Sequence, residues 1–92
     1  MNITVKVFAT LRNFMPGVQD IDVAGGTDLA MLLERLCGQY PGLREEIFDA
    51  GGSLKPYVNV LKNGRNVFFI NNLATRLEEG DTLAIFPPVA GG

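Results

Sequence analysis

The sequence predicts an α+β fold: a mixed sheet of four to five strands with one main helix packed across it. Three observations carry that expectation. Apolar residues alternate in "NITVKVFA" near the start, the period-two pattern of a half-buried strand. Leucines recur at helical spacing through "GGTDLAMLLERLCGQYPG". Two β-rich runs flank Asn63-Gly64 in "YVNVLKNGRNVFFI", a pair that accepts the positive φ angles of a tight hairpin turn. Ninety-two residues, 47% of them apolar and 20% charged, make one domain near the lower edge of what folds unaided. The expected domain spans 1–92, with a flexible C-terminal tail over 88–92.

Taken in order, Ile3, Val5 and Val7 fall on one face of the first strand and Thr4, Lys6 and Phe8 on the other. "RNFMPG" reads as a loop, because Pro16-Gly17 is a turn signal. "VQDIDV" is a second strand that forms a hairpin with the first. Leu29, Leu32, Leu33 and Leu36 then define the buried stripe of the helix. Thr27 or Asp28 can cap its first turn, and Gly38 and Pro41 mark its stop. "LREEIFD" is read as a short second helical turn and "AGGSLKP" as loop. After the Asn63-Gly64 hairpin, "NNLATRLEEGD" is a connector and "TLAIFP" the last strand. Pro87-Pro88 ends that strand, since neither residue can donate to a ladder. The order β-β-α-β-β-β, with the first and last strands adjacent and parallel, is the β-grasp or ubiquitin-like arrangement.

Composition excludes several function classes. Eight basic against ten acidic residues give a net charge of −2, and no two Lys or Arg are adjacent. No nucleic-acid footprint is visible, and a mildly acidic chain suits a protein partner with a basic surface. No apolar run approaches the ~20 residues of a membrane span, and the N-terminus lacks the pattern of a signal peptide. Cys37 is the only cysteine, which fits a reducing compartment. A cytoplasmic location is expected. With no histidine, one thiol in an apolar setting and no recognisable catalytic or metal motif, the chain does not read as a self-contained enzyme, and no metal site is expected. For Cys37, sulfur transfer and a small core role are both open, and the core role fits its place beside Leu36 better.

The hairpin "VNVLKNGRNV", the turn "LEEGD" and the tail "IFPPVAGG" together resemble the sulfur-carrier proteins of the MoaD/ThiS type, across the whole domain. "FPPVAGG" is similar to the small subunit of molybdopterin synthase, whereas "LKPYVNVLKNGRNVFFINNLATRLEEGD" also resembles carriers for cysteine synthesis or for tRNA and protein modification. The resemblance implies that the terminal carboxylate, here on Gly92 beside Gly91, is the working group. An E1-like adenylating enzyme would activate it with ATP, and a sulfur donor such as a persulfide would convert it to a thiocarboxylate. A sulfur-accepting enzyme, such as the large subunit of a molybdopterin synthase, would then receive the sulfur. No cofactor is expected on the chain itself. Two further readings stay open: conjugation of Gly92 to lysines of target proteins, and a plain binding module with an idle tail.

The tail's residue types can be read chemically. Glycine at 91 and 92 lets backbone thread a narrow channel where a Cβ would clash. Pro87 and Pro88 fix φ and favour an extended chain leaving the sheet. The five residues after Pro87 reach roughly 17 Å at about 3.3 Å per residue. With no residue after Gly92, no protease step is expected before activation.

Strand parity points to a docking face. If Ile3, Val5, Val7, Leu83, Ile85, Val58 and Val60 face the helix, then Phe8, Phe86, Leu61 and Tyr57 face away. Phe8, Phe86 and Leu61 would then form one exposed apolar patch beside the tail. A bulge that shifts parity would instead bury them, and both outcomes are open. The family resemblance also implies partner contacts for Arg12, just after the first strand, and for Phe86, before the prolines. The expected partner-binding set is therefore Phe8, Arg12, Leu61, Phe86, Pro87, Pro88 and Val89.

Overall fold

The computed structural model describes residues 1–88. Val89, Gly91 and Gly92 of the expected site lie outside the described residues, as do all but the first of the tail residues 88–92. Strand β1 (Asn2–Val7) pairs antiparallel with β2 (Val18–Asp22) and parallel with β5 (Thr82–Phe86). Strand β3 (Asn59–Lys62) pairs antiparallel with β5 and with the two-residue β4 (Arg65–Asn66). The sheet order is β2-β1-β5-β3-β4, the five-stranded mixed sheet of a β-grasp fold.

Helix α1 (Leu29–Gln39) presents Leu29, Leu32, Leu33 and Leu36, all fully buried, to the sheet residues Ile3, Val5, Val7, Leu83 and Ile85 in one core. Each such leucine gains about 2 kcal/mol of transfer free energy on burial. The cap is Asp28, whose carboxylate accepts the Met31 N–H at 2.9 Å; the Thr27 hydroxyl instead donates to the Ala24 carbonyl at 2.7 Å. Gly38 does not stop the helix, which runs to Gln39 before the extended Tyr40 and Pro41. Helix α2 (Leu43–Ile47) is the short second turn and buries Leu43 and Ile47.

Two segments differ from their sequence reading. The stretch after β1 is not plain loop: Ala9–Asn13 winds into a 3₁₀ turn that drives Leu11 into the core. The second arm of the hairpin stops after Asn66 and becomes a 3₁₀ turn over Val67–Phe69. The reason is local. The Asn66 side-chain oxygen accepts the Phe68 N–H at 3.0 Å, a cap that competes with continued pairing. The turn itself follows the sequence, with φ of 49° at Asn63 and 87° at Gly64.

The connector before β5 is tied at its middle to the start of α1. Leu29 N–H donates to the Thr75 carbonyl at 2.9 Å, and Leu77 N–H to the Thr27 carbonyl at 3.2 Å. Beyond the connector, β5 lies between β1 and β3.

Candidate functional site

The parallel register of β1 and β5 pairs Val7 with Ile85, and the Phe8 N–H donates to the Ile85 carbonyl at 3.2 Å. One residue further on, Phe8 and Phe86 both project from the helix-free face. Their rings stack with centroids 4.4 Å apart and planes 6° from parallel. Such pairs are worth about 0.5–1.5 kcal/mol beyond simple burial.

Arg12 also lies over the Phe8 ring. The left-handed Ala9 (φ 52°) turns the chain back at the end of β1. The 3₁₀ turn then carries the guanidinium carbon to 5.5 Å from the Phe8 centroid. Arg12 Nε donates to the Val7 carbonyl at 3.1 Å, which holds the planar group in place. Phe8 therefore contacts both the Phe86 ring and the Arg12 guanidinium. A cation above a ring face gains about 0.5–1 kcal/mol at an exposed site.

Leu61 belongs to the same face but not to the stack. It pairs with Ala84, diagonal to Phe86, and is half-buried. The residue directly opposite Phe86 is Asn59, absent from the expected set although its parity with Leu61 puts it on this face. Tyr57 is exposed, but it lies in the turn before β3 rather than in the strand, so strand parity does not place it. Pro87 is buried and Pro88 exposed. Pro87 is therefore corrected from a surface contact to a buried residue at the end of β5 that offers little surface to a partner.

A second cluster, which sequence reasoning did not assemble, holds the turn before β5. Asp81 is buried and its carboxylate accepts from Asn63 Nδ2 at 2.8 Å and from the Glu78 N–H at 2.7 Å. Lys62 Nζ stands 3.5 Å from the same carboxylate. The signal was present as "NG" and "EEGD", but nothing local links two turns 18 residues apart.

Cys37 is half-buried against the core. Burial pushes its thiol pKa up, with the Arg44 charge opposing and the Glu34 and Glu45 charges adding to the rise. A thiol held protonated is a poor nucleophile, so this residue does not present itself as a sulfur-transfer group. On the surface, the hydrogen bond from Arg44 holds the Glu34 carboxyl below its usual range. Among the described residues no three His, Cys, Asp or Glu gather as a metal site. No helix there is long and apolar enough to cross a membrane.

The ThiS family model matches residues 5–92. The chain is 39% identical to small archaeal modifier protein 3 of Haloferax volcanii, covering all of both chains. It is 35% identical to the sulfur carrier protein CysO of Mycobacterium tuberculosis, again covering all of both. The crystal structure of SAMP1 from Haloferax volcanii superposes with a TM-score of 0.85 at 33% identity over the full length of each. Fold, matched span and full-length similarity agree: the chain belongs to the ThiS family.

Proposed function

We propose that this protein is a sulfur carrier whose working group is the Gly92 carboxylate, and a cosubstrate rather than an enzyme. The observation that carries the reading is the Arg12–Phe8–Phe86 stack at the point where β5 passes into Pro87-Pro88. It gives a partner enzyme a rigid, partly apolar handhold directly beside the segment it must take up. Rigid aromatics with an arginine are the residue types that dominate binding energy at interfaces. A preset exit direction reduces the entropy lost on docking.

The chemistry follows from the carboxylate's weakness as an electrophile. An E1-like partner would join it to the α-phosphate of ATP, with release of pyrophosphate. Sulfide would displace AMP from the adenylate and leave a thiocarboxylate. A persulfide would do so through an acyl disulfide, which a second thiol of the donor then cleaves. The acids, bases and metal ion of these steps belong to the partners, and the setting is a reducing cytoplasm.

For the sulfur's destination, the tail "FPPVAGG" favours molybdopterin synthesis. The end-to-end match to CysO favours cysteine synthesis, and it rests on the whole chain rather than on seven residues. Similarity to a modifier protein supports conjugation through the same adenylate, with a lysine amine in place of sulfur.

The test is the intact mass after incubation with ATP, the cognate adenylating enzyme and a sulfide source. Exchange of one oxygen for sulfur, localised to Gly92 and abolished by one added C-terminal residue, is expected. No shift with an enzyme of demonstrated activity overturns the reading. Supplying the product to each acceptor enzyme in turn then distinguishes the destinations, and a branched Gly92-lysine peptide would mark conjugation.

A further inference from the structure

A second apolar surface lies at the β3 edge of the sheet. Strand β4 pairs only Leu61 with Asn66 and Lys62 with Arg65. Where Asn66 diverts the chain into the 3₁₀ turn, the stretch Val58–Val60 borders an open groove of about 330 Å³. Leu54, Pro56, Val67, Phe68 and Phe69 supply its apolar walls. Phe68 and Phe69 are 70% and 77% exposed, with rings edge to face at 5.2 Å. Two adjacent phenylalanines left in water are unusual, and contiguous exposed apolar surface marks an interaction site.

Charge identifies what the groove accepts. Although the chain carries a net charge of −2, no carboxylate is among the described groove residues, and Lys55 is the one charged group there. Lys55 makes no ion pair among the described residues. The groove is also continuous with the tail-exit face, because Asn59 lines it and is the sheet partner of Phe86. A body docked on the Arg12–Phe8–Phe86 stack reaches the groove one strand away.

We propose that this groove receives an extended, apolar, carboxylate-bearing segment of the enzyme that takes up the C-terminus, lying alongside Val58–Val60 where β4 stops. That the segment belongs to this enzyme rests on the carrier reading; the groove's preference for an acidic extended peptide does not.

The probe is the end-blocked pentapeptide Glu-Val-Ile-Val-Glu, titrated into isotope-labelled full-length protein and followed by amide chemical shifts. Its counterpart Lys-Val-Ile-Val-Lys is the control. The acidic peptide is expected to shift the amides of Val58, Val60, Phe68 and Phe69. The double variant Phe68→Ala/Phe69→Ala should weaken it by about tenfold or more. Lys55→Glu should transfer the preference to the basic peptide. Phe68 and Phe69 are exposed and Lys55 is half-buried, and each variant's own amide spectrum reports its fold. Absence of shifts at the groove, or an equal response to both peptides, overturns the proposal.

With the adenylating enzyme, the double variant should raise the KM for the carrier and leave kcat unchanged. An unchanged KM removes that enzyme as the source of the segment. Loss of all sulfur transfer in the parent protein would overturn the carrier function while leaving a positive peptide result intact.

Discussion

Asn63, in the hairpin turn, donates from Nδ2 to the buried carboxylate of Asp81, in the turn before the last strand, at 2.8 Å. In return Asn63 Oδ1 accepts the Thr82 N–H at 2.9 Å. The pair clamps the β3–β4 hairpin to the start of β5, so the strand that delivers the tail is held from its first residue. Replacing Asp81 by Ala leaves Asn63, the Glu78 N–H and Lys62 without their shared acceptor. A loss of about 2–3 kcal/mol is expected, with Asp81→Asn costing less. Urea unfolding at neutral pH measures both; an Ala variant as stable as the parent would show that the clamp contributes nothing.

The stack at the tail exit makes a separable prediction. Phe86→Ala removes one ring of a partly exposed pair and should lower stability by about 1–2 kcal/mol. It should raise the KM for the adenylating enzyme by about tenfold or more. Arg12→Lys keeps the charge but loses the planar group that lies over Phe8, so it should resemble Arg12→Ala in that assay. If Arg12→Lys behaves as the parent, charge alone suffices and the planar contact is incidental.

Two glycines close together in the chain are expected to respond in opposite directions. Gly42 has φ 88°, and a Cβ there would meet the Phe14 ring at 2.8 Å. Gly42→Ala should cost about 1–2 kcal/mol. Gly38 is exposed within α1, and a Cβ there meets nothing within 4 Å. Gly38→Ala should therefore stabilise the protein by about 0.5–1 kcal/mol. Thermal melts of the two variants are a direct comparison, and a shared sign would contradict the backbone argument.

Burial raises the Cys37 pKa, which fixes the sign of its pH dependence. The folded state favours the neutral thiol. Its contribution to stability is complete below the unfolded thiol's pKa and is lost as pH rises through the higher folded value. Iodoacetamide should alkylate Cys37 slowly at neutral pH, with a rising limb displaced to higher pH than in urea-unfolded chain. Cys37→Ser should leave formation of the thiocarboxylate intact. A rate at neutral pH matching the unfolded chain would reassign Cys37 as a reactive thiol.

Much of this was legible from residues alone. Ile3, Val5 and Val7 against Thr4, Lys6 and Phe8 give the inward and outward faces of β1, because side chains alternate whatever the strand pairs with. Leu29, Leu32, Leu33 and Leu36 mark the buried stripe of α1 for the equivalent reason of helical period. The Asn63-Gly64 turn was readable from its tolerance of positive φ. The end of β4 was less accessible: Val67, Phe68 and Phe69 are strong strand formers, and the Asn66 side-chain cap overrides them. The turn over Ala9–Asn13 likewise depends on Leu11 finding space in a core built mostly by distant residues.

The sequence by itself determined the two faces of β1, the buried stripe of α1 and the place of the Asn63-Gly64 turn. Tertiary structure decided that Phe8 contacts both Phe86 and Arg12, that Asn63 reaches Asp81, and that Pro87 is buried. Alternation and turn preference are properties of neighbouring residues and survive in any fold. The ring stack exists only once β1 and β5, drawn from opposite ends of the chain, lie parallel in one sheet, and the Asn63–Asp81 contact only once β3 pairs with β5.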